Sequence, residues 1–306
     1  MKKLGWIIYN GNLSSGGKFL DFAEWIQRAA ARKNSEAVIY KNNQLLSLLQ
    51  TSGRSLLQDG GPGLPHQLPD YVFFADKDIY LARQLEAIGV RVFNSADAIA
   101  NSDDKITSYQ LLAARKLPVP KTLIAPKVFP RGSMDDQTIQ TAVRQLGLPM
   151  ILKEAFGSFG QQVYLVNTED ELQRKVHELR GKAFVFQEFM VSSYGKDIRL
   201  HVVGDEVSAA MKRRARDDFR ANVTAGGITE AYTPTQAETD IAISAARAVG
   251  ADIAGVDLLF GPDGEPIICE INSNAHIRNM YECTGINVAD AIMNYILAVL
   301  KEDVHV

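Results

Sequence analysis

The sequence predicts an α/β protein: a small parallel N-terminal domain over residues 1–100, then two further α/β units over residues 101–190 and 191–306. Three observations carry this. Short apolar runs alternate with amphipathic segments through residues 4–93. The alternation resumes after a break marked by Pro118 and Pro120. Near the C-terminus two apolar runs flank the turn-rich stretch Gly261-Pro262-Asp263-Gly264-Glu265-Pro266. A chain of 306 residues has room for two or three packed subdomains.

Residues 4–9 read as a buried strand and Asn10–Gly17 as a loop. Phe19, Phe22, Ala23, Ile26 and Ala30 recur at helical spacing, which predicts a helix over Phe19–Arg32. Ala37–Tyr40 is the second strand. The Gly- and Pro-rich stretch Thr51–Pro69 is expected to be a mobile loop. Tyr71–Ala75 is the third strand, Asp78–Ile88 a helix stopped by Gly89, and Val90–Phe93 the fourth strand. No G-x-G-x-x-G follows the first strand and no G-x-x-x-x-G-K-[ST] occurs, which disfavours dinucleotide and P-loop sites.

Ser102–Leu117 reads as one helix with Lys105 in its first turn. A lysine there opposes the helix dipole, which leaves a role outside the helix open beside the default reading, a solvated lysine. Strands are predicted at Thr122–Ala125, Met150–Lys153, Val163–Val166 and Phe184–Phe189, with helices at Asp136–Leu146 and Glu169–Leu179. Lys153 closes its strand and Phe156-Gly157-Ser158-Phe159-Gly160 follows. Glycines let backbone N–H groups approach phosphate oxygens, so a strand-end lysine before such a loop points to a nucleoside triphosphate. Asp197, Arg199 and His201 share one strand face, and Ile198, Leu200 and Val202 the other. The run Met211–Arg220 carries Lys212, Arg213, Arg214, Arg216 and Arg220. Alone it reads as a solvated face or a nucleic-acid patch. Beside an ionic strand it suits bidentate binding of phosphate and carboxylate. Asn222 and Gly226-Gly227 follow, then helices over Thr235–Val249 and Val288–Leu300.

The terminal hairpin buries three polar residues that core packing does not require: Asp257, Glu270 and Asn272. If Gly261 faces Pro266, the loop is Pro262–Glu265 and Asp257 stands opposite Glu270. Glu270 and Asn272 share a face, and Cys269 between them is expected to point to the core. Two buried, unpaired carboxylates are costly. A cation offsets them, and an all-oxygen set suits Mg²⁺ or Mn²⁺ completed by phosphate and water. The alternative is acids that meet solvent or pair with Lys or Arg.

The formal net charge of -3 gives no global attraction to nucleic acid or membrane. Two cysteines, Cys269 and Cys283, make neither a disulfide framework nor a metal knuckle, and cytoplasmic residence is expected. The apolar start reaches Asn10-Gly11-Asn12 too soon for a signal sequence. No uninterrupted apolar run approaches the roughly 20 residues of a membrane span.

At Gln187-Glu188-Phe189, Asp197-Ile198-Arg199, Val203-Gly204-Asp205-Glu206-Val207, Arg213-Arg214-Ala215, Asp218-Phe219-Arg220-Ala221-Asn222, Ala254-Gly255-Val256-Asp257 and Glu270-Ile271-Asn272 the chain resembles the ATP-grasp carboxylate–amine ligases. Within them it resembles the RimK-like glutamate ligases, over roughly residues 100–300. The first hundred residues are similar to a pre-ATP-grasp domain in general pattern only. The resemblance implies an α+β ATP-grasp fold whose two subdomains clasp ATP.

It also implies roles. Lys105 and Lys153 would bind the phosphates, and Gly157, Ser158 and Gly160 would close over them. Glu188, Phe189, Met190 and Val191 would form the adenine hinge, and Asp197 would bind the ribose. Arg220, with Asn222 beside it, would bind the triphosphate or transferred phosphate. Asp257, Glu270 and Asn272 would hold two Mg²⁺ ions, with Mn²⁺ able to substitute. Arg199, Arg213 and Arg214 would bind the acid substrate, with Arg220, Arg214 and Arg199 at the reacting groups. Two departures stand out. Gln162 occupies a usual glycine, so a stiffer lid or a side-chain contact is expected. Ser273-Asn274-Ala275-His276 replaces a usual Ser-Pro-Gly, which places Asn274 and His276 beside the substrate.

The implied reaction forms an amide through an acyl phosphate, adding glutamate or another amino acid to a peptide, protein or metabolite acceptor. His276 would serve as base towards the amine or simply pack. A general L-amino-acid or dipeptide ligase is the alternative within the class, and a non-catalytic ATP-binding regulator the alternative outside it. Related enzymes often associate, so a homo-oligomer is expected. No nucleic-acid or membrane partner is expected.

Overall fold

The computed structural model describes residues 2–12, 17–58, 68–158, 160–221 and 227–302. Three sheets follow one another along it. The first takes β1 (Lys3–Tyr9), β2 (Ser35–Lys41), a separate hairpin of β3 (Leu45–Gln50) and β4 (Gly53–Gln58), then β5 (Tyr71–Ala75) and β6 (Val92–Phe93). Its order is β2-β1-β5-β6, all parallel. Trp6, Ile7 and Ile8 are buried in succession, the run of a strand covered on both faces. Helix α1 (Lys18–Arg32) lays Phe22, Ala23, Ile26, Ala29 and Ala30 on one face, and α2 (Ile79–Ala87) buries Leu81, Ala82 and Leu85 on the other side.

The expected loop over Thr51–Pro69 is in part a strand. Gln50 pairs with Gly53 across the two-residue turn Thr51-Ser52, and Leu45 and Leu56 are buried in the α2-side core. Gly53 has φ +134, which turns the chain here. The Gly and Pro signals lie at the hairpin's turn and beyond its end, and residues 59–67 lie outside the described residues.

The helix expected over Ser102–Leu117 is two, α3 (Ala96–Asp103) and α4 (Lys105–Ala114). Asp104 is extended and caps α4, its carboxylate accepting from the Ile106 N–H at 2.9 Å. The break makes Lys105 the first residue of α4.

The central unit contains β7 (Thr122–Ile124), α5 (Asp136–Leu146), β8 (Met150–Glu154), β9 (Val163–Val166), α6 (Glu169–Glu178) and β10 (Phe184–Glu188). Its antiparallel sheet runs β7-β10-β8-β9, with α5 and α6 covering Met150, Leu152, Phe184 and Phe186.

The third sheet is built from β11 (Lys196–Val203), β12 (Glu206–Arg214), β13 (Ile228–Ala231), β14 (Ile253–Phe260) and β15 (Pro266–Asn272), in antiparallel order β13-β12-β11-β14-β15. Helix α7 (Gln236–Val249) packs alanines on Ile198, Leu200 and Val202, which leaves Asp197, Arg199 and His201 on the opposite face. Helices α8 (Arg278–Thr284) and α9 (Val288–Glu302) close the chain, and α9 joins α1 in a shared core of Phe22, Ile26, Ile292 and Ile296. The buried Asn94 side chain also bridges first and third sheets. It donates to Ile253 O (2.7 Å) and Ser273 O (3.0 Å) and accepts from Ile253 N (2.9 Å). Among the described residues no single helix is long and apolar enough to cross a membrane.

Candidate active site

The hairpin β14–β15 brings Asp257 opposite Glu270, but by a different register from the simple one. Phe260, not Gly261, faces Pro266, and the ladder shifts between Leu258↔Ile268 and Asp257↔Glu270. Cys269 is the extra residue of that bulge. A bulge re-aims side chains, and Cys269 lines a cavity with Glu270 instead of facing the apolar core. Its Sγ lies 3.7 Å from Lys153 Nζ.

That cavity lies between the central sheet and the third sheet. One part is apolar, with Ile151, Val163, Phe189, Met190, Phe219 and Leu259. Another is ionic, with Lys105, Lys153, Arg213 and Arg220 facing Asp197, Asp257 and Glu270. Gly160 and Glu188 also line it. Lys153 is buried and donates to Tyr109 Oη at 3.0 Å. Burial disfavours its ammonium, but Cys269, Tyr109 and Glu270 hold its pKa above the ordinary lysine range. Lys105 Nζ donates to Gly157 O at 3.1 Å and lies 3.5 Å from a Glu270 oxygen. Arg220 Nη1 donates to Gly160 O at 2.7 Å, while its other nitrogens bind Asp218. Two of the cavity's cations are thereby tied to the glycine loop's backbone.

Strand alternation and register build a second ionic layer. Arg199 pairs with Asp257 across β11 and β14, and Asp197 with Arg213 across β11 and β12. Arg199 grips both Asp257 oxygens at 2.6 Å. Arg213, 3% exposed, grips both Asp197 oxygens at 2.7 and 2.6 Å and reaches Asp257 at 2.9 Å. Burial alone would raise the Asp257 pKa, but the two guanidiniums hold it at about 2. For Asp197, burial outweighs Arg213 and its pKa rises. Burial also works against Arg213, and Asp257 and Asp197 outweigh it and raise its pKa. The sequence left Asp257 needing a cation. In the structure two arginines supply the counter-charge, the pairing alternative.

The remaining sequence candidates fall in different places. Gly157 has φ +147, and a Cβ there would stand 2.3 Å from Gln162 Oε1. That same oxygen accepts from the Ser158 N–H at 3.2 Å, so Gln162 clips the loop. Ser158 is exposed and does not line the cavity; Lys77 Nζ donates to its hydroxyl at 3.3 Å. Val191 is 67% exposed and off the cavity. Arg214 is a correction. The alternation that turns Arg213 inward turns Arg214 outward, away from the cavity. Asn222 lies outside the described residues.

His276 packs its ring against Phe19 and Phe22 of α1, at 4.9 and 5.8 Å between centroids. Burial, then Lys18 and Arg199, lower its pKa to about 4, so it is neutral and a weak base at pH 7. This favours packing over the base role. Near Arg199 three buried polar atoms have no hydrogen-bond partner among the described residues: His201 Nε2, Asn272 Nδ2 and Asn274 Oδ1. His201, Gly255 and Asn272 are lateral neighbours across β11, β14 and β15. Such orphaned groups suit a small polar ligand.

Among the described residues no three His, Cys, Asp or Glu form a metal cage. Asp257, Glu270 and Asn272 nevertheless fit a hard cation of few protein ligands. All are oxygen donors, and the first two are a direct cross-strand pair at the ionic part of the cavity.

Sequence reasoning missed Ile151, Gln187, Leu259 and Tyr109. Strand periodicity could have found three of them, since Ile151 lies two before Lys153, Leu259 two after Asp257, and Gln187 opposite Ile151. Tyr109 comes from helix α4, outside the strands, and left no such signal.

Residues 102–296 match the RimK-like ATP-grasp domain. A probable alpha-L-glutamate ligase of Stenotrophomonas maltophilia is 35% identical over 217 residues, 70% of this chain and 72% of its own. Two solved structures share the fold. D-alanine–D-alanine ligase from Bacillus anthracis has a TM-score of 0.71 and 16% identity, covering 99% of this chain and 100% of its own. The ATP-grasp ligase PsnB, complexed with a phosphomimetic variant of a minimal precursor, Mg and ADP, has a TM-score of 0.69 and 19% identity, covering 97% and 98%. The chain belongs to the RimK-like ATP-grasp family and is a ligase of that kind.

Proposed function

We propose that this ligase uses ATP to join a carboxylate to an amine, adding glutamate, or another amino acid, to a peptide, protein or small-molecule acceptor. The observation that carries the reading is one cavity where an apolar part adjoins five cations and four carboxylates. The apolar part suits a base and the cations a triphosphate. The name of the Stenotrophomonas relative supports glutamate.

In this reading a substrate carboxylate oxygen attacks the γ-phosphorus, and the bond to the β-phosphate oxygen breaks to release ADP. The amine nitrogen then attacks the acyl carbon, loses a proton and expels phosphate. Lys105, Lys153 and Arg220 neutralise charge as it spreads over the transferring group. Because Lys105 and Arg220 hold Gly157 O and Gly160 O, phosphate binding and loop position are coupled through them. The loop, clipped by Gln162, keeps water from the acyl phosphate. Asp257, Glu270 and Asn272 would hold Mg²⁺, two ions in this proposal with Mn²⁺ able to substitute, which offsets phosphate charge. Arg199, released in part from Asp257, would bind the carboxylate of the acid substrate, and the unpartnered Asn274 Oδ1 would accept from an N–H of the same substrate. Cytoplasmic residence and homo-oligomeric assembly go with the proposal.

The test is turnover with a substrate whose carboxylate carries heavy oxygen. The reading expects one labelled oxygen in the released phosphate. Unlabelled phosphate accompanying amide formation would exclude the acyl phosphate.

A further inference from the structure

The outward face of the same strands carries a second, separate concavity. It is lined by Tyr194, Gly195, Lys196, Arg214, Ala215, Arg216 and Asp218. Lys196 and Arg214 are direct cross-strand partners in the β11–β12 register. Like charges placed opposite one another destabilise a sheet, and Arg216 adds a third positive charge. Among the described residues none of these three has a carboxylate partner. Asp218 is already gripped by Arg220 through both oxygens, at 3.0 and 2.8 Å. Asp217, the other nearby acid, does not line the concavity. In a chain of net charge -3 this is a concentration of unpaired positive charge.

The concavity is also built, not merely charged. Gly195 donates to Phe219 O at 2.9 Å and accepts from Ala215 N at 2.8 Å. It has φ +62, and a Cβ there would stand 2.7 Å from Asp218 O. Only glycine closes the backbone this tightly. Tyr194, 54% exposed, supplies an apolar wall beside the cations. Lys196 also lines the ATP-type cavity, so the two openings adjoin.

We infer that this concavity is a docking site for an acidic peptide segment of the acceptor. The choice of peptide carboxylates over other anions rests on the proposed glutamate-ligase reading. Each glutamate added replaces one α-carboxylate by an α- and a side-chain carboxylate, so acceptor and product gain negative charge stepwise. A basic, partly apolar cleft beside the site retains such a chain without entering the chemistry. Arg214 and Arg216 fork towards carboxylates from a surface that the catalytic cavity does not use.

The test is binding, independent of turnover. Fluorescence anisotropy of a labelled hexaglutamate peptide is measured on the full chain, and on the double variant Arg214→Glu with Arg216→Glu, with Mg-ATP affinity of both followed by calorimetry. Salt-sensitive binding, weakened about tenfold or more in the variant at unchanged Mg-ATP affinity, is the expected result. The inference is overturned if wild type does not bind the peptide, or if the variant binds it equally. It is also overturned if a single-stranded oligonucleotide of equal charge binds more tightly. Failure of the ligase reading would appear separately, as peptide binding without amide formation.

Discussion

Replacing Arg213 with Met removes the hub of the buried ionic layer. The guanidinium is 3% exposed and gives two short contacts to Asp197 and one to Asp257. Asp257 keeps Arg199, but Asp197 is left buried and loses its bidentate partner. Breaking a buried pair from one side costs about 3–5 kcal/mol. That is a large share of the roughly 5–15 kcal/mol that holds a domain folded. Arg214, one residue on, is exposed, and Arg214→Met should stay within about 0.5 kcal/mol. Adding Asp197→Asn to Arg213→Met should recover a substantial part of the loss, because the stranded charge is gone. Urea unfolding of the ligand-free protein at neutral pH measures all of these variants. The reasoning is refuted if Arg213→Met unfolds within about 1 kcal/mol of wild type, or if Arg214→Met costs as much.

Asn94→Ala removes three buried hydrogen bonds between the first and third sheets and should cost about 2–4 kcal/mol by thermal or urea unfolding. His201, 1% exposed, has its pKa lowered from 6.5 to about 3, by burial first and then by Arg199. Its neutral form is favoured in the fold, so its contribution is complete above pH 6.5 and is lost as pH falls from there towards 3. Wild type should therefore lose about 2 kcal/mol between pH 7 and pH 5 that His201→Leu keeps, read as the difference between their unfolding curves. Lys153→Ala should weaken Mg-ATP binding in calorimetry, and an unchanged affinity would remove Lys153 from the site.

The β-strands of the first two sheets, and β11, β14 and β15 of the third, were largely legible as apolar runs. β12 was legible only as a basic run and β13 not at all, because their residues are mostly polar or small. The N-terminal hairpin was not legible either, since Leu45 and Leu56 gain their burial from α2, a long-range contact. The break at Asp104 was hidden because an acidic residue reads equally well inside a helix's first turn and at its cap. Lys153, Asp257 and Glu270 stood out in the sequence as charges within or beside apolar runs and Lys105 as a lysine in a helix's first turn, and the structure brings them into one cavity. Their partners did not stand out. Which arginine meets which aspartate depends on the β11–β12 and β11–β14 registers, and Cys269 enters the cavity only through a bulge. The inward Arg213 and outward Arg214 carry the same side chain and are separated only by strand parity.

The most direct test of the central claim is a single reaction of the purified chain with Mg-ATP, glutamate and a panel of peptide and amino-acid acceptors. ADP is counted against product, and products are read by mass spectrometry. The account predicts one ADP released for each glutamyl residue gained, with both lost in Glu270→Gln although that variant stays folded. Mg-ATP binding with no acceptor gaining mass, or a Glu270→Gln variant of near-normal activity, would contradict it.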